Sequence, residues 1–115
     1  MHVIFAVDDE PALLRVYERV LRPHGYVVLK HDDPSLMLSR IAIGERPSLI
    51  ITDFNMPGMN GGQVAASARE MGFVGPILMI SDVKEIPVGI TARLKKPFDN
   101  DEIVRVVGQL LAGGV

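Results

Sequence analysis

Val3-Ile-Phe-Ala-Val7-Asp8-Asp9 sets five apolar residues in a row directly against two carboxylates. An apolar run of strand length that does not alternate predicts a strand buried on both faces, as in a parallel sheet covered by helices. The same grammar recurs along the chain. Tyr26-Val-Val-Leu29, Leu49-Ile-Ile-Thr52 and Ile77-Leu-Met-Ile80 are further apolar runs, and Ile90-Thr-Ala-Arg-Leu94 is a weaker fifth.

Amphipathic segments fill the intervals. After Pro11, residues Leu13, Val16, Tyr17, Val20 and Leu21 recur at helical spacing as one apolar stripe, and Pro23-His24-Gly25 breaks that helix. Asp33-Pro34 predicts an N-cap with proline at the first helical position, opening a second helix through about Ile43. Gly61-Gly62 is expected to precede a third helix, and Asp99 with Glu102 has the form of a capping box opening a last one, ended by Gly113-Gly114. Repeated βα units of this kind argue for an open α/β sheet between helical layers.

Composition narrows the function. The chain has 115 residues, 48% of them hydrophobic and 23% charged, which suits one globular domain over residues 1–115 without a linker. The absence of cysteine excludes a disulfide scaffold, a thiolate zinc site and a cysteine nucleophile. Twelve basic against 14 acidic residues, with no basic run, lack the electrostatic footprint of direct nucleic-acid binding. No apolar stretch reaches membrane-span length, so no membrane segment and a cytoplasmic location are expected.

The polar residues carry the chemistry. Asp8 and Asp9 end the first run, Asp53 the third and Ser81 the fourth, and Lys96 follows the fifth. In a parallel sheet these positions gather at the carboxyl edge, where ligands bind in open α/β folds. Crowded carboxylates repel unless a cation joins them, and an all-oxygen set suits Mg²⁺, often beside a phosphate. A lysine and a hydroxyl complete a set suited to phosphoryl groups, with aspartate as the nucleophile. Lys95 adjoins Lys96; strand alternation and the following Pro97 favour Lys96 as the inward one. His2, His24 and His31 lack metal-ligand spacing and read as surface or turn residues. The glycines at 58, 61 and 62 are followed by no Gly-Lys-Ser/Thr, so no P-loop is present.

Val-Asp8-Asp9-Glu-Pro, Thr-Asp53-Phe-Asn-Met-Pro-Gly-Met-Asn-Gly61 and Lys96-Pro97-Phe98, in this order, resemble the receiver domain of two-component response regulators. The resemblance spans essentially the whole chain. It implies a flavodoxin-like α/β fold: an open five-stranded parallel sheet in the order 2-1-3-4-5 with helices on both faces. It also implies that Asp53 accepts a phosphoryl group from a sensor histidine kinase or histidine phosphotransfer protein. Asp8, Asp9, Asp53 and the backbone carbonyl of Asn55 would hold Mg²⁺, Lys96 would contact the phosphoryl oxygens, and Ser81 would be the switch hydroxyl. Lys96-Pro97 matches the family's frequently cis peptide bond.

Three features depart from that pattern. Only 15 positions separate Ser81 from Lys96, about two helical turns fewer than in typical relatives, so the fourth family helix is expected to be short or missing. Arg93 stands where the family usually has an aromatic toggle. Asp82 follows Ser81 in place of a small residue, where it would crowd the phosphoryl group or pair with Arg93 or Lys84. Atypical switching with phosphorylation intact is the expectation, and no motif specifies the cognate kinase, the output or the oligomeric state. A phosphoacceptor module, itself not an enzyme, is the leading reading. The alternatives are a pseudo-receiver acting as a phosphorylation-independent interaction domain and, last, a small aspartyl-phosphate phosphatase.

Overall fold

Strand β1 (Val3–Val7) is an interior strand of the sheet. It pairs in parallel with β2 (Val27–His31) on one side and with β3 (Leu49–Asp53) on the other. Beyond β3 come β4 (Ile77–Ser81) and β5 (Ala92–Lys95), all parallel, giving the order β2-β1-β3-β4-β5. The computed structural model describes residues 1–112; the helix stop expected at Gly113 and Gly114 lies outside the described residues.

Both faces of the sheet are buried, as the non-alternating runs require. Ile4, Ala6, Leu49, Ile51, Leu78 and Ile80 pack on one side against α1 (Pro11–Leu21) and α4 (Asn100–Leu111). Phe5, Val7, Ile50 and Ile77 pack on the other against α2 (Pro34–Ala42) and α3 (Gly61–Glu70). No described helix is long and apolar enough to cross a membrane.

The helix boundaries follow local chemistry. The Asp33 side chain accepts from the Ser35 N–H at 2.9 Å, and the Asp99 N–H donates to Glu102 Oε1 at 3.0 Å, as the sequence implies. At α3 the start is earlier than expected: Gly61 is already helical, capped by Asn60, whose side chain and Gln63 exchange hydrogen bonds of 2.9 and 2.8 Å. After α1 a short 3-10 turn over Arg22–His24 ends at Gly25, whose φ of 88° reverses the chain.

Two strands differ from the apolar runs. β2 starts one residue later than expected and extends through Lys30 and His31, because Val7 pairs with His31 across the sheet. His31 is therefore not a surface or turn residue: it is 6% exposed, with its ring against Phe5. Its Nδ1 lies 3.1 Å from the Ala6 carbonyl, which only accepts, so Nδ1 carries the proton and Nε2 faces Arg40 at 3.3 Å. β5 is shorter than expected, four residues beginning at Ala92.

Between β4 and β5 there is no helix, as the short interval predicts. Arg69 on α3 takes over part of the tethering. Its guanidinium donates to the carbonyls of Gly89 at 2.8 Å, Phe73 at 3.0 Å and Gly75 at 2.6 Å, pinning residues 83–91 and the α3–β4 loop together. Arg69→Met keeps the aliphatic stem but strands these carbonyls. It is expected to cost about 2 kcal/mol in urea denaturation and to speed amide exchange around Gly89 selectively; unchanged exchange there would remove Arg69 from this role.

Candidate functional site

The carboxyl edge of the sheet collects the acids. Asp8 and Asp9 follow β1, and Asp53 ends β3, the strand paired beside it. One carboxylate oxygen from each lies within 4.8 Å of the others. Asp8 is fully buried and Asp53 is 7% exposed, whereas Asp9 is open to solvent. Charges this close and this dry are unstable without compensation.

Compensation within the protein is partial. Lys96 Nζ lies 3.3 Å from Asp53 Oδ1, and the Phe54 N–H donates to the same oxygen at 2.7 Å. Asp8 Oδ1 accepts from the Glu10 N–H at 2.9 Å, and Oδ2 from the Tyr17 hydroxyl at 3.2 Å. Even so, burial holds the Asp8 pKa above its ordinary value of 3.8; the charge of Asp53 adds to the rise, while the Glu10 N–H, Lys96 and Tyr17 oppose it. Burial, followed by the Asp8 charge, pushes the Tyr17 phenol well above its usual range, so the hydroxyl remains a donor.

Local geometry explains why the sequence needs its glycine at 61. The Gly61 N–H donates to the Phe54 carbonyl at 2.8 Å, folding the β3–α3 loop back on itself. A Cβ at 61 would run into the carbonyl oxygen of Asp53 and the Cα of Phe54. The Asp-x-x-Met-Pro-Gly-x-x-Gly stretch is thus a loop that closes against the backbone of Asp53 and Phe54 at the end of β3.

The other expected residues fall as follows. Lys96 points to Asp53 while Lys95 is exposed, and the Lys96-Pro97 bond is cis. Ser81 is buried at the end of β4, one position past Ile80, the register partner of Asp53. Its Oγ accepts from the Val83 N–H at 3.0 Å, closing the turn that leaves the strand. Asn55 lies two positions beyond Asp53 with its side chain exposed; the role assigned to it uses its backbone carbonyl. Asp82 forms no ion pair with Arg93 or Lys84 among the described residues and instead lines an open cleft with Lys96, Leu13 and Phe98.

Two functional neighbours were not singled out by the sequence reading. Arg93, noted only as a departure, donates to the Val83 carbonyl at 3.0 Å. Val83 is therefore held at its N–H by Ser81 and at its carbonyl by the residue in the place of the aromatic toggle. Tyr17 was one member of an apolar stripe; the available signal was a hydroxyl in a stripe of aliphatic residues, which needs a partner once buried.

A family model for the response regulator receiver domain matches residues 4–108. The chain belongs to the response regulator receiver domain family. Among curated proteins, the receiver is 34% identical over 109 residues to the DNA-binding response regulator MtrA of Mycolicibacterium smegmatis, covering 88% of this chain and 46% of that protein. It is 31% identical over 109 residues to a putative two-component response regulator of Arabidopsis thaliana, covering 90% of this chain and 18% of that one. The chain thus spans less than half the length of these curated relatives. Among solved structures, the chemotaxis regulator CheY4 of Vibrio cholerae superposes with a TM-score of 0.85 at 28% identity, covering 96% and 98% of the two chains. The receiver domain of the hybrid histidine kinase CckA gives 0.82 at 32% identity, covering 95% and 98%.

The raised Asp8 pKa has a consequence for the stability of the metal-free receiver. A folded-state pKa above the unfolded value favours folding at pH below 3.8 and loses that benefit as pH rises through the folded pKa. At pH 7 the ionised Asp8 is therefore a net cost. Asp8→Asn is expected to raise the thermal midpoint at pH 7 by about 4 °C, equivalent to about 1 kcal/mol at this size. The difference from wild type shrinks as the solution is acidified toward pH 4. A variant less stable than wild type at pH 7 would contradict this assignment.

Proposed function

We propose that this receiver takes a phosphoryl group from a histidine kinase or histidine phosphotransfer protein onto Asp53, with Mg²⁺, and answers by rearranging residues 81–93. The observation that carries the reading is the Asp8–Asp9–Asp53 cluster with Lys96 against Asp53. The donor set fits the ion: three hard carboxylate oxygens within reach of one another, one of them fully buried with its charge only partly compensated. A Thermotoga maritima regulator, 25% identical to this chain, was solved in complex with Mg²⁺ and a beryllium fluoride.

The step proposed is direct. An Asp53 carboxylate oxygen attacks the phosphorus of a phosphohistidine, forming the O–P bond as the N–P bond breaks. The imidazole nitrogen leaves with the electron pair and is protonated from solvent. When bound, Mg²⁺ would supply charge neutralisation for the acids and the phosphoryl oxygens. Lys96, already beside Asp53, supplies a positive charge to the transferred group. Ser81 rotates to donate its hydroxyl to a phosphoryl oxygen, a movement that carries its Oγ away from the Val83 N–H. Val83 is thereby loosened on one side while Arg93 holds it on the other. The chain is its own acceptor and turns over no separate substrate, which makes it a signalling module acting in the cytoplasm and not an enzyme. The retained carboxylate cluster and lysine speak against a phosphorylation-independent module.

Intact mass after incubation with acetyl phosphate and Mg²⁺ tests this reading. One phosphoryl addition is expected, absent in Asp53→Asn and reduced by at least about 100-fold in rate when Mg²⁺ is chelated. An addition that persists in Asp53→Asn would place the acceptor elsewhere.

A further inference from the structure

Among the described residues, Asp8 is the one of the three clustered acids with each of its oxygens held by a hydrogen-bond donor. The Glu10 N–H takes Oδ1 and the Tyr17 hydroxyl takes Oδ2. Both donors belong to the start and middle of one element: Glu10 precedes α1, and Tyr17 lies within it. Two donors on opposite oxygens fix the rotation of a carboxylate about its Cβ–Cγ bond, and with it the direction of the lone pairs left for a ligand. Asp9, exposed at the rim, has no such restraint among the described residues.

The Tyr17 ring is anchored as firmly as its hydroxyl. The residue is fully buried, and its ring centroid lies 6.2 Å from that of Phe98, two residues beyond Lys96. Tyr17 therefore joins the two ends of the site, touching the Asp8 carboxylate with its oxygen and the Lys96-Pro97-Phe98 segment with its ring. A tyrosine here does what the aliphatic members of the stripe, Leu14 and Leu21, cannot do from the same face of α1.

We propose that Tyr17 is a positioning residue for the divalent cation, its hydroxyl holding Asp8 in the orientation that ligates the metal. The inference rests on the proposed metal-dependent reading of the Asp8–Asp9–Asp53 site. Groups that orient a metal ligand from behind commonly set affinity without touching the ion. Removing the hydroxyl alone leaves the ring, its contact with Phe98 and all three carboxylates in place.

Calorimetric titration with Mg²⁺ of wild type and Tyr17→Phe is the first arm. The dissociation constant is expected to rise about tenfold in the variant, the low end of such effects. A folded variant with wild-type affinity would overturn the proposal, leaving the hydroxyl as a core group that merely found a partner. The second arm keeps Tyr17 and needs no loss of stability. The chain has no tryptophan and two tyrosines, so Tyr26→Phe leaves Tyr17 as the only tyrosine emitter. A hydrogen bond to a carboxylate quenches tyrosine emission, so Mg²⁺ drawing charge from Asp8 is expected to raise it, saturating at the calorimetric affinity. Binding heat with no change in Tyr17 emission would overturn the proposal while leaving the metal site intact. No binding heat in wild type would overturn the proposal together with the metal-dependent reading, which distinguishes the two failures.

Discussion

The placement of mutually repelling carboxylates at one edge of a parallel sheet is the constraint on which the rest of this receiver depends. Nothing in apolar packing asks for a fully buried Asp8 beside Asp53, and its burial opposes ionisation. The fold meets that cost with an assembled surround: Lys96 from beyond β5, backbone N–H groups at Glu10 and Phe54, and a phenol from α1. They come from three stretches of chain, the start and middle of α1, the end of β3 and the segment after β5, so the site exists only when β1, β3, β5 and α1 are all in place. Parallel strand direction makes this convergence possible, because every strand delivers its C-terminal residue to the same edge.

The segment after β4 meets a different constraint, because it joins β4 to β5 without a helix. A helix there would normally shield the sheet face near β5 and satisfy its own backbone. This chain instead uses two arginines as hydrogen-bond donors to half-buried carbonyls. Arg69 reaches across from α3 to Gly89, and Arg93 reaches from β5 to Val83. Guanidinium groups suit the task because several fixed donors serve several carbonyls at once. Arg93, at the position where the family resemblance leads one to expect an aromatic residue, fastens the loop that stands in the place of a helix.

Much of this was legible in the sequence. Unbroken apolar runs such as Ile77–Ile80 marked strands buried on both faces, and the acids at their ends marked the functional edge. Lys96 could be chosen over Lys95 because strand alternation gives them opposite directions. What escaped was set by tertiary contact. His31 is a polar residue at the end of an apolar run, and only its register with Val7 and packing on Phe5 carry β2 through it. Gly61 reads as a helix breaker, yet it opens α3 because no side chain fits against the Asp53 carbonyl. The Asn60–Gln63 spacing was a readable cap that the neighbouring glycines obscured. The partners of Tyr17 and Arg93 lie nine and ten positions away, at no helical or strand period.

The central claim is that Asp53, the acid cluster and Val83 form one connected unit that responds to a phosphoryl group. Amide chemical shifts of the ¹⁵N-labelled receiver, recorded with Mg²⁺ and then with beryllofluoride added, test it most directly. Metal alone should move amides near Asp8, Asp9 and Asp53; the added phosphoryl mimic should move Ser81, Val83, Arg93 and Lys96 as well, and fail to do so in Asp53→Asn. Shifts that stay confined to residues 53–56 when both are saturating would show a site that binds without being connected to Val83, and would contradict the account.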